Sequence, residues 1–77
     1  MIQEIQPSKA ELTRSAILDR LKSGAALTAD ALAEELALPI LYVRPRVSEL
    51  VKQSRLVASG ERGRNASGKL AHKWTAA

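Results

Sequence analysis

The chain has no cysteine and no phenylalanine, and only one histidine, one tyrosine and one tryptophan among its 77 residues. Without cysteine, neither a disulfide nor a thiolate metal site can staple the fold. His72 alone cannot build a metal site, so neither a metal nor another cofactor is expected. With Tyr42 and Trp74 as the only aromatics, the core must be assembled from Leu, Ile, Val and Ala. No apolar run approaches the ~20 residues of a membrane span, and Met1-Ile2-Gln3-Glu4 does not read as a signal peptide. A cytoplasmic protein is the expectation. The single histidine has no paired acid nearby in sequence, so no catalytic constellation forms and an enzyme is not expected. Nothing points to a small-molecule ligand.

What is present is basic charge, unevenly placed. The net charge is +4. Residues 1–43 carry Lys9, Arg14, Arg20 and Lys22 against Glu4, Glu11, Asp19, Asp30, Glu34 and Glu35, a net of −2. Residues 44–77 carry Arg44, Arg46, Lys52, Arg55, Arg62, Arg64, Lys69 and Lys73 against Glu49 and Glu61, a net of +6. Such an asymmetry suits a face that meets a polyanion, and equally a solvated basic surface.

A chain this short is one domain, burying only about 60–65% of the surface it exposes when unfolded. Ser8-Lys9-Ala10-Glu11 fits a capping box that opens a first helix after Pro7, and Ser23-Gly24 closes it. Ile17, Leu18 and Leu21 share one face of that helix. Leu12 falls on the opposite side. Either the helix starts at Thr13 with Leu12 stapled onto Ile17, or Leu12 joins Ile2 and Ile5 in a folded-back arm or a dimer seam. Ala25-Ala26-Leu27 has room for a brief strand. Thr28 is a good N-cap for a second helix from Ala29 to about Leu36, with Asp30 near its positive end and Leu32 and Leu36 inward.

After Leu38-Pro39 a third helix runs from about Ile40 to Gln53. Val43, Val47, Leu50 and Val51 form its apolar stripe, and Tyr42, Arg44, Arg46, Ser48 and Glu49 are read as its outer face. Pro45 removes one backbone donor there, which is tolerable within about a turn of the helix start or on a side that bends. Arg55 to Ser59 reads as a strand and Lys69 to Thr75 as its partner. The Gly-rich basic run from Gly60 to Gly68 reads as a long, mobile hairpin tip. The expected fold class is α+β, mainly α: three helices followed by a two-stranded hairpin, the winged helix-turn-helix layout.

The string Thr28-Ala29-Asp30-Ala31-Leu32-Ala33-Glu34-Glu35-Leu36, then Val43-Arg44-Pro45-Arg46-Val47-Ser48-Glu49-Leu50-Val51, then Gly60-Glu61-Arg62, Ser67-Gly68-Lys69 and Trp74, resembles small winged helix-turn-helix proteins of bacteria and their mobile elements. The resemblance covers about residues 9–75, leaving 1–8 as an N-terminal arm before a domain of 9–77. It implies double-stranded DNA as the partner, with the third helix in the major groove and the hairpin wing on phosphates or in the minor groove. Carried over by position, Tyr42, Arg44, Arg46 and Ser48 become candidate contacts of the recognition helix, and Arg62, Arg64, Asn65 and Lys69 of the wing. Ser54 departs from the pattern, standing where similar proteins usually have glycine.

Arginine suits the recognition position because its planar fork bonds guanine O6 and N7 together, or grips a phosphate. Tyr42 could donate to a phosphate or close the helix-turn-helix core. Trp74 reads as a lid over the first helix rather than a stacking platform, and His72 as a surface residue. Gly63 to Lys69 imitates a phosphate-binding P-loop, but Leu70 stands where the magnesium-binding hydroxyl is required and no helix is expected after it. The expected function is sequence-specific DNA binding by a transcriptional regulator, with a homodimer or a protein partner widening a small footprint. The rival is a winged-helix adaptor or inhibitor that docks an acidic protein surface.

Overall fold

The computed structural model describes residues 8–65 and 67–77. Three helices, α1 (Lys9–Leu21), α2 (Ala29–Leu36) and α3 (Ile40–Lys52), are followed by a two-stranded antiparallel hairpin of β1 (Leu56–Arg64) and β2 (Leu70–Ala76). The architecture is mainly helical α+β, as the sequence patterning implies. Among the described residues no helix is long and apolar enough to cross a membrane.

Local chemistry sets the helix ends. Ser8 Oγ accepts from the Glu11 N–H at 3.2 Å, so α1 begins at Lys9 and not at Thr13. Thr13 is instead buried within the helix, its hydroxyl donating to the Lys9 carbonyl at 2.9 Å. A start at Thr13 is therefore excluded, and Leu12 stays on the outer side, 58% exposed. Its expected contact with Ile2 and Ile5 lies outside the described residues. Thr28 Oγ1 caps α2 by accepting from the Ala31 N–H. Helix α2 then ends with Ala37 in the left-handed region (φ 55°), where the Leu38 N–H donates to the Ala33 carbonyl.

Pro45 is the sixth residue of α3. The donor it lacks would have met the Leu41 carbonyl, and both residues lie on the exposed side, where water can satisfy that oxygen. The helix closes on Ser54 at φ 60°, with the Ser54 N–H on the Val51 carbonyl and the Arg55 N–H on the Leu50 carbonyl. Serine thus adopts the conformation glycine takes most cheaply, and the turn into β1 keeps the usual geometry at a cost in strain.

The core joins Ile17, Leu18 and Leu21 of α1, Leu32 and Ala33 of α2, Val43, Val47 and Leu50 of α3, and Leu56 of β1. Trp74 and Leu27 pack partly buried against it. The short strand anticipated before α2 is reduced to one bridge, Leu27 to Trp74.

The hairpin departs from the sequence expectation. The Gly-rich run is not a free tip, because β1 continues through it to Arg64, pairing Arg62 with His72, Gly63 with Ala71 and Arg64 with Leu70. A register shift lies between Ala58 and Arg62, so Ser59, Gly60 and Glu61 together oppose Lys73. Gly60 takes a φ of 91° within this bulge. Backbone pairing to β2 orders a stretch whose side chains have little to bury. The resemblance to a P-loop fails for the same reason: a β-strand, not a helix, follows Lys69.

Candidate functional site

Helix α3 presents a buried stripe of Val43, Val47 and Leu50. At about 100° per residue, Leu41, Pro45, Ser48 and Lys52 cluster within about 60° of one another, roughly opposite that stripe. All four are exposed. Leu41 is the most open large apolar side chain among the described residues, 77% exposed.

Arg44 and Arg46 flank this ridge on opposite sides and do not belong to it. Arg44 leans toward α2, its Nη2 at 3.4 Å from Asp30 Oδ1, and its side chain stays 58% exposed. Arg46 leans toward α1 and is only 24% exposed, with Nε at 3.0 Å from Glu49 Oε1. That Nε is buried and makes no aligned hydrogen bond. The same Glu49 oxygen accepts from Arg14 Nη1 at 2.8 Å, so one carboxylate holds an arginine of α1 and one of its own helix. The reading of Arg46 as an outward contact is corrected on this ground. Its helical angle brings it nearer the buried stripe than the outer ridge, and a countercharge waits there.

Tyr42 is half-exposed (46%), and Lys9 Nζ sits 5.0 Å from the centre of its ring. It borders a shallow groove between the start of α1 and the start of α3, walled by Thr13, Leu41 and Pro45. Ser48 stands open on the outer ridge.

In the hairpin, Asn65 builds the turn. Its Oδ1 accepts from the Ser67 hydroxyl at 2.7 Å and from the Lys69 N–H at 3.1 Å, and its own N–H donates to the Lys69 carbonyl. Arg64 Nη1 donates to the Gly68 carbonyl at 2.8 Å, bracing the same turn. Both side chains therefore have structural partners that composition did not reveal. Arg62 and Lys69 are exposed, as are Lys52 and Arg55, and none of these four makes an ion pair or side-chain hydrogen bond among the described residues. All four lie in the basic half of the chain.

The hairpin turn and the start of α3 face one open cleft. Arg64, Asn65 and Ser67 line it on one side and Ile40 and Arg44 on another, with Thr28, Asp30 and Glu34 along the α2 wall. Gly63 lets the hairpin approach so closely. A Cβ there would stand 3.2 Å from the Thr28 methyl and 3.1 Å from Lys73 Cε, tighter than ordinary packing. Sequence reasoning missed Leu41 and Lys52, although the spacing 41, 45, 48, 52, half a turn from the apolar stripe, was there to be read.

Compared with protein-family models, with curated proteins and with solved structures, the chain shows no significant match.

Proposed function

We propose that this chain is a winged helix-turn-helix protein that binds duplex DNA, with α3 as the recognition helix and the β1–β2 hairpin as the wing, acting as a sequence-specific transcriptional regulator. The observation that carries this reading is the common cleft between the start of α3 and the hairpin turn, bordered by Arg44 and Arg64. Elsewhere on α3 and the hairpin, Lys52, Arg62 and Lys69 are exposed cations that no carboxylate neutralises among the described residues. A three-residue break (37–39) between α2 and α3 fits the helix-turn-helix arrangement.

In this reading phosphates are held by Arg62, Lys69 and the flanks of α3, which sets register and affinity without reading sequence. Arg44 exchanges its long ion pair with Asp30 for a phosphate or a base edge. Asp30 and Glu34 narrow the path of the backbone by repelling it from the α2 wall. One such domain covers about one major-groove segment, so selective binding needs a second copy or a partner protein.

The test is a titration of a labelled duplex at rising salt. With about four to six phosphates contacted, log K falls against log salt with a slope of roughly −4 to −5. Arg62→Ala with Lys69→Ala weakens all duplexes alike and flattens the slope by about one unit for each phosphate no longer held. Absence of binding at low salt, or a flat salt dependence, overturns the reading.

A further inference from the structure

We infer that the base-reading surface of α3 is the Leu41–Pro45–Ser48–Lys52 ridge, and that Leu41 and Pro45 select thymine by contact with its C5-methyl group; this rests on the DNA-binding reading above. The two residues follow one another by a single turn in the first half of α3, the part of a recognition helix that reaches base edges. Each is exposed, Leu41 at 77%. In the major groove the thymine methyl is the one apolar mark on the base pairs, so an apolar side chain on the groove-facing ridge has one natural target.

Charge and size both favour DNA as the occupant. The ridge carries no acid and ends in Lys52, which makes no ion pair among the described residues. Arg44 borders it on one side, and Lys9 lies over Tyr42 on the other. Of the acids beside it, Glu49 already holds Arg14 and Arg46, and Asp30 pairs with Arg44. The apolar strip is one side chain wide and two long, far short of the roughly 800 Å² per partner that a stable protein interface takes. It is the size of a contact with one or two methyl groups. Arg46, drawn back toward α1, leaves the centre of the ridge to these side chains.

The experiment starts from a duplex selected by the full chain from a random pool. Each thymine under the footprint is replaced in turn by deoxyuracil, which lacks only the methyl group, and binding is titrated at fixed salt. For the wild type, at least one replacement weakens binding about three- to fourfold, the loss expected for one buried methyl. Leu41→Ala, whose exposed position leaves its melting temperature unchanged, loses the sensitivity at one or more of those thymines, while a thymine met by Pro45 stays sensitive. Salt-sensitive duplex binding that ignores every thymine methyl, or a Leu41→Ala variant as sensitive as the wild type, overturns the inference and leaves the DNA-binding reading standing. A chain that binds no duplex at low salt removes both.

Discussion

Leu27 and Trp74, 47 positions apart, exchange both backbone hydrogen bonds: the Leu27 N–H donates to the Trp74 carbonyl at 3.0 Å and the Trp74 N–H to the Leu27 carbonyl at 2.7 Å. This pair fastens the hairpin to the segment that leads into α2. It fixes the hairpin's base, so its turn lies beside α2 and α3 instead of projecting away from them. The Trp74 ring adds packing against the core, and His72 tilts against it with ring centres 5.5 Å apart.

Trp74→Ala keeps the backbone bridge and removes the ring. Burying part of an aromatic contributes about 2–3 kcal/mol, a large share of the stability of a domain this size. The melting midpoint followed by circular dichroism falls by roughly 10–20 °C. A shift of only a few degrees would show that the ring lies outside the cooperative core.

Ala37 and Ser54 hold left-handed backbone at φ 55° and 60°, a region that side chains with a Cβ occupy at a cost. Ala37→Gly and Ser54→Gly each raise stability by about 0.5–1 kcal/mol, the strain relieved exceeding the extra freedom glycine gains when unfolded. The same change at Ala33, buried inside α2, lowers stability by about 1 kcal/mol or more. Urea unfolding of the three variants checks the opposite signs, and a loss at Ala37 or Ser54 contradicts the account of the two helix ends.

Glu49→Gln removes the charge that holds Arg14 and Arg46. Because the groups are partly exposed, the expected loss is only about 0.5–1.5 kcal/mol at low salt, shrinking at 1 M salt as the ion pairs are screened. Under the proposed DNA-binding function, the variant also binds generic duplex more tightly, since one negative charge beside α3 is gone. Equal destabilisation at both salt concentrations would mark the contact as packing rather than electrostatics.

The three helices are legible in the order of the residues. Ser8 and Thr28 announce the starts of α1 and α2 by their own side-chain chemistry, acting over three residues. The spacing of Val43, Val47 and Leu50 announces which side of α3 is buried. The basic half of the chain is plain from composition, and with it the hairpin's candidate cations. These are local properties, set by a helical turn or a strand alternation and needing no distant partner.

The rest needs partners far apart in sequence. Gly60 to Arg64 look like a free tip until β2 supplies the hydrogen bonds that make them a strand. Arg46 looks outward until Glu49, itself held by Arg14 of α1, draws it in. Asn65 and Arg64 look available for a ligand until the turn closes around them. Helix starts, the core stripe and the charge asymmetry were thus determined by the sequence alone, through interactions within a turn or two. The length of the hairpin, its seat against Thr28 and the direction of each arginine were decided only in tertiary structure, because countercharges and backbone partners exist only where folding brings distant segments together.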